Sequence, residues 1–453
     1  METRYEAATP AAPASSAVAP RAEPSTPATS RGGYLGQFDS YRVVACGAVV
    51  LQHSLLWTLV PGEVVGWAFV MLLHFSRTAF FFLSALLLTY SQITRPRSTW
   101  GFWRRRYVQL GVPYLAWTVI YVLSTVIDQG GSWGQIGSEL VRDLEYGYYQ
   151  LYFTVVLFQL FLIFPLLLRL IQATRHHAAL MTASLCFALV LAADLHWPGA
   201  FGPVGHATTW IERYWPWSRD LLTYQEQFVA GILVALHFDQ VRDFVERWLR
   251  QIISGAVVIG VAATLWYLIA VWVGSGTGRA SDLYQPVAFL WFTAAVAALE
   301  CGTWWWYRRT LAGHPPRWRV WSATYLSNLT GGIYLSHVLF IGLLRSALGT
   351  LGVPSAVGWF GEVVVLYVTT LSISALLTAL VLRTPLRWVL GGPVRSEQRR
   401  RLGRAAMEVP LAEVGATPAP AALGGHRPVS RAPGPCGAGT ARGSRRSASG
   451  RPG

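Results

Sequence analysis

Residues 67–90 read WAFVMLLHFSRTAFFFLSALLLTY, twenty-four positions with one charged side chain, Arg77. A helix needs about 20 predominantly apolar residues to cross a bilayer. Unpaired backbone cannot be left in hydrocarbon, so a segment this long and apolar must close its hydrogen bonds within itself. Nine further apolar stretches lie at roughly 42–60, 107–127, 148–168, 178–195, 221–238, 252–273, 286–306, 329–347 and 359–382, of which 178–195 and 221–238 have the least distinct ends. The expected fold class is all-α: a polytopic integral membrane bundle of about ten transmembrane helices, multi-pass in the cell membrane.

Composition agrees. The chain is 53% apolar and 13% charged, and its mean hydropathy is +0.37. That charged share is about half that of an average soluble domain, which excludes a disordered protein and argues against a single water-soluble core. A net charge of +15 ordinarily suggests nucleic acid or anionic lipid. Here 13 of the 37 basic residues follow Leu382, and all 37 are arginine. The expected partner of that charge is membrane lipid, with no nucleic acid. Cys46, Cys186, Cys301 and Cys436 are too scattered for a disulfide framework or a zinc pattern.

Three regions follow. Residues 1–33 are dominated by Ala, Pro, Ser and Thr and read as a disordered cytoplasmic tail, without the basic start and apolar run of a signal peptide. Residues 34–393 form the membrane domain. Residues 394–453 are an Arg/Pro/Gly-rich tail, also read as disordered, in which 396–409 could form a short surface helix. Loop arginines set the orientation. Alternate loops carry 14 of them on one side against Arg142, Arg213, Arg219 and Arg279 on the other. With an even number of spans, both termini are expected in the cytoplasm.

A polar side chain inside a span is costly and survives mainly where it lines a cavity or pathway. The first span opens FDSYRVVACGAVVLQH from Phe38, with Arg42 and His53 eleven residues apart. That is close to three helical turns, so the two share a face about 16 Å apart along the axis. Asp39 sits one turn before Arg42, where it can orient the guanidinium. Arg42 lies at the cytoplasmic mouth and His53 deep in the membrane, where a neutral imidazole can act as acid or base. The same pair also fits an interfacial anchor and a histidine bonded to a neighbouring helix.

The second span adds His74 and Arg77, again one turn apart. Glu226 is either the counter-ion of Arg77 or a sign that this end of the sixth span is misplaced. His337 lies mid-way along the ninth span, and Arg345 and Glu362 read as an ion pair at the last outer loop. Arg104, Arg105 and Arg106 stand together before the third span. Three guanidiniums can grip phosphates bidentately, yet contact with anionic headgroups predicts the same cluster. No glycine-rich phosphate loop, zinc helix or serine-nucleophile elbow occurs, and no metal is expected.

The order of these motifs is informative. Phe38-Asp39-x-x-Arg42, ten residues and then His53, followed by FFFLSALLL, FWRRRYVQLGVPY and YLSHVLF, resembles the acyltransferase 3 family of membrane O-acyltransferases. The resemblance covers roughly residues 34–393. It implies an enzyme that moves an acyl group, most often acetyl, from cytoplasmic acyl-CoA to a hydroxyl of a glycan, lipid-linked sugar or small molecule. Acyl-CoA is then a co-substrate, with no bound cofactor, and the setting is modification of cell-envelope polysaccharide by O-acetylation.

By the same resemblance Arg42 and His53 are the paired essential positions, Arg106 is the basic position before the third span, and Tyr334 and His337 belong to the ninth-span motif. Three departures stand out: Ala85 replaces a usual glycine, Gln109 a second basic residue, and Arg383-Thr384-Pro385 an acidic position after the last span. The expected catalytic set is His53, Arg42 and Asp39, with Arg104–Arg106 on the donor. His74, Arg77, Glu226, Tyr334 and His337 are candidates for the acceptor or the oxyanion. Rival readings are a ten-helix transporter or flippase for a glycan or lipid precursor, and a structural or sensory membrane protein. A covalent acyl-histidine is left open.

Overall fold

The computed structural model describes residues 36–391, apart from 61, 129, 199–200, 203–207, 210, 213 and 313–316. Both tails read above as disordered, and the helix expected at 396–409, lie outside the described residues. Among those described there are helices and no strands. They are α1 (Gln37–Thr58), α2 (Val64–Leu73), α3 (Phe75–Thr94), α4 (Thr99–Asp128), α5 (Trp133–Tyr146), α6 (Tyr152–Ala173), α7 (His177–His196), α8 (Gln225–Leu236), α9 (Phe238–Trp272), α10 (Pro286–Ala312), α11 (Arg317–Thr350) and α12 (Val353–Val381).

Eight helical segments among the described residues are long and apolar enough to cross a membrane. The ten expected spans include two that do not reach that mark. One is α1, whose apolar character is diluted by Asp39, Arg42, Gln52 and His53. The other is the sixth, where Leu221–Leu236 starts as a 3-10 turn and leaves α8 only 12 residues long. Both are enclosed by other helices. Along α1 only Val44 is exposed, and along α8 no residue is. A helix surrounded by other helices need not match the lipid, so it can carry polar side chains at lower cost.

Two breaks interrupt the expected spans, and a third, at Gly358, stands just before the last of them. The second span divides at His74, which caps α2 before α3 restarts at Phe75. The fourth opens with a 3-10 turn, Tyr149–Leu151, ahead of α6. α12 bends at Gly358, whose φ of +70° suits glycine.

α1 packs against α2, α3, α10, α11 and α12. The Tyr41 hydroxyl donates to the Ala79 carbonyl on α3 at 3.2 Å, and the Cys46 thiol reaches the Thr330 carbonyl on α11 at 3.7 Å. The tightest pairing joins α3 to α8. A Cβ on Gly231 would fall 2.3 Å from the Phe82 carbonyl oxygen and 2.8 Å from the Ala85 Cβ. Ala85, the residue that departs from the family glycine, is therefore accommodated by a glycine on the facing helix. The expected boundary pair is present, Arg345 Nε standing 3.8 Å from Glu362 Oε1.

Candidate active site

One cavity of about 390 Å³ opens between α1, α3, the start of α6 and α11, and Arg42, His53, His74, Arg77 and Tyr334 all line it. Residues that the sequence scatters over nearly three hundred positions thus meet at one site. Arg42 and His53 both face this cavity from α1, as three helical turns require. Arg42 keeps its Nη1 3.8 Å from Asp39 Oδ1, and Asp39 is buried.

His74 reaches the cavity from the break between α2 and α3, with its ring 6.0 Å from Phe292. Arg77 donates from Nη1 to the Tyr152 hydroxyl at 2.8 Å, and its guanidinium lies 5.4 Å from the centre of the Tyr224 ring. Among the described residues no ion pair joins Glu226 to Arg77. Glu226 is fully buried on α8, outside the cavity lining, and neither carboxylate oxygen reaches a donor at hydrogen-bond distance. The helical stretch Leu221–Leu236 starts where the sixth span was expected, and Glu226, in the first turn of α8, is turned into the helix packing. A phenol and an aromatic face accompany the Arg77 charge instead.

Tyr334 donates its hydroxyl to the Gln150 carbonyl at 2.5 Å. His337 is fully buried behind the cavity wall, its ring centre 5.1 Å from that of His53. Arg104, Arg105 and Arg106 do not line the cavity. Phe102 is buried in the core and the Trp103 indole donates to the Phe161 carbonyl at 3.0 Å, which turns that face of α4 inward. Arg104 and Arg105 are left exposed and Arg106 half-buried.

Several lining residues were not singled out in the sequence. Gln52 accepts from the Ser76 hydroxyl at 3.4 Å, linking α1 to α3. Tyr149 and Gln150 come from the turn before α6, and Tyr152 opens α6 itself. Tyr149 has φ +32°, positive φ that is found in no other non-glycine residue among those described, and its ring lies 5.2 Å from His53. Backbone strain of this kind concentrates at functional sites. The visible signal was the aromatic run Tyr148-Tyr149-Gln150-Leu151-Tyr152-Phe153, which reads equally well as a membrane-interface belt.

The described residues thus form a bundle of helices, eight of them long and apolar enough to cross a membrane, around a cavity lined by an arginine and a histidine of one helix. Residues 35–379 match the Acyltransferase domain (Acyl_transf_3), so the chain belongs to the acyltransferase 3 family and is a multi-pass membrane acyltransferase. No curated protein and no solved structure matches it.

Proposed function

We propose that this chain transfers an acyl group, acetyl first among the candidates, from acyl-CoA to a hydroxyl of a glycan, lipid-linked sugar or small molecule. The observation that carries the reading is the shared cavity: a guanidinium at one end of an α1 face and an imidazole eleven residues along it. Donor phosphates need cations. Arg42, oriented by Asp39, supplies one at the mouth, and the thioester arm extends from there toward His53. Neutral His53 takes the proton of the acceptor hydroxyl as its oxygen attacks the thioester carbonyl. The C–S bond then breaks, and the CoA thiolate leaves with the proton returned by the imidazole. General-base catalysis of this kind contributes about 10²–10⁴ in rate. Arg77 and His74, on the cavity wall, are suited to hold the developing oxyanion or the acceptor.

The test is acyl transfer or thioester hydrolysis by purified protein given radiolabelled acetyl-CoA and no ion gradient. A transporter or flippase would leave the thioester intact. His53→Ala should abolish turnover while acyl-CoA still binds. Arg42→Ala should weaken binding, and Arg42→Lys should restore it only in part, because an ammonium cannot reproduce the guanidinium fork. With the donor cytoplasmic, reporters fused at Gly33 and Gly391 should both read cytoplasmic; either one outside would overturn the span count and the depth argued for His53.

A further inference from the structure

His53 can act as a base only through a nitrogen that carries no proton and is open to the cavity. Its two ring nitrogens are not equivalent. Nδ1 is buried without a hydrogen-bond partner. Nε2 is not closed off in this way, and the residue lines the cavity. A neutral imidazole holds one proton. For Nε2 to be the base, that proton must sit on Nδ1, inside the protein, where a donor without an acceptor is costly.

The neighbouring ring meets that need. His337 Nδ1 lies 2.7 Å from the Tyr334 carbonyl oxygen and 3.2 Å from the Ile333 carbonyl oxygen. Carbonyls only accept, so His337 Nδ1 carries the proton and donates. Its Nε2 is therefore a bare acceptor, and it too is buried with no partner. The two rings stand 5.1 Å apart, centre to centre, at 42°. The two unpartnered nitrogens thus belong to neighbouring rings, one in need of an acceptor and the other of a donor.

We propose that His337 is a positioning residue for His53: a small rotation of the two rings brings its Nε2 to accept the Nδ1 proton of His53, which holds the tautomer that presents a bare Nε2 to the cavity. The inference rests on the reading of His53 as the base. The chain runs from the acceptor hydroxyl through His53 and His337 to the Tyr334 carbonyl. When His53 takes the hydroxyl proton, the imidazolium is stabilised by a neutral acceptor, so no second buried charge is required. The Tyr334 hydroxyl, bonded to the Gln150 carbonyl, ties the same turn of α11 to the strained segment at Tyr149. Elsewhere, upsetting a catalytic histidine's tautomer partner while keeping its geometry lowers turnover by about 10⁴.

Two substitutions separate this role from a packing role. The Asn amide in His337→Asn can still donate to the Tyr334 carbonyl but offers nothing at the Nε2 position. The longer amide in His337→Gln offers a carbonyl oxygen near that position and gives up the local anchor. With acetyl-CoA hydrolysis as the readout, water standing in for the acceptor, His337→Asn should lose about 100-fold or more in kcat. His337→Gln should keep kcat within roughly tenfold of wild type, and KM for acetyl-CoA should be unchanged in both. The reverse order, with His337→Asn close to wild type, would overturn the proposal.

A measurement on the unaltered protein needs no variant to turn over. Nitrogen-15 histidine spectroscopy, with the His53 signals assigned by difference against His53→Ala, should find the His53 proton on Nδ1. Finding it on Nε2 overturns the proposal. A fully active His53→Ala would instead sink the base assignment itself, and so the two failures are told apart.

Discussion

Arg77 on α3 and Tyr152 at the first turn of α6 are joined across the cavity wall by a 2.8 Å hydrogen bond from guanidinium to phenol. Arg77 Nε is buried without a partner, so this contact carries much of the local compensation for the charge. Tyr152→Phe keeps the ring and removes the acceptor. Hydrogen bonds to charged groups contribute about 1.5–3 kcal/mol. The variant should therefore unfold at a lower temperature in the same detergent, and an unchanged Tm would mean the guanidinium has found another acceptor.

The shared face of α1 can be tested by rotation. One alanine inserted between Val49 and Val50 turns His53 about 100° away from Arg42. That takes the imidazole off the cavity wall and away from His337. Acyl transfer should fall to the level of His53→Ala. Near wild-type activity in a folded protein would show that the alignment is incidental.

The arginine cluster makes a milder prediction, because Arg104 and Arg105 are exposed and screened by salt. Replacing Arg104, Arg105 and Arg106 together by Gln should raise KM for acyl-CoA by about five- to tenfold with little change in kcat. The effect should shrink as ionic strength rises. If only membrane insertion suffers, measured as the yield of folded protein, the cluster is a topology signal and not a donor contact.

Packing between α3 and α8 predicts opposite outcomes at two glycines. Gly231→Ala drives a methyl into the Phe82 carbonyl and the Ala85 side chain, 2.3 Å and 2.8 Å away. Overpacking of this kind costs about 1–3 kcal/mol. A Cβ on Gly255, within α9, meets nothing within 4 Å. Alanine there should be neutral or stabilise the helix by up to about 1 kcal/mol. Thermal unfolding of the two variants side by side checks the contrast.

Much of the architecture was legible without coordinates. Where a helix faces lipid, its own residues must be apolar for about 20 positions, and that is a property of the segment alone. Eight helices announced themselves in this way. The Arg42–His53 alignment was legible for the same reason: one helix and its period determine it. The first and sixth stretches were also expected as spans and are helical, but the polar load of α1 and the 12-residue length of α8 keep them below that mark, since an enclosed helix answers to its neighbours and not to the bilayer.

What one segment cannot encode is which residues of different segments meet. The turn at Tyr149–Leu151 sits beside His53 only because α6 packs beside α3 and α11. Glu226 looked like the natural counter-ion of Arg77, but only the packing of α8 decides that its carboxylate is elsewhere while Tyr152 takes the guanidinium. The nearness of the His53 and His337 rings, 284 residues apart in sequence (337 − 53), is of the same kind. The sequence alone determined the membrane helices and the residues that share a helical face, because those follow from local periodicity and burial in lipid. Tertiary structure alone decided the occupants of the cavity, because contacts between helices are fixed by packing that no single segment specifies.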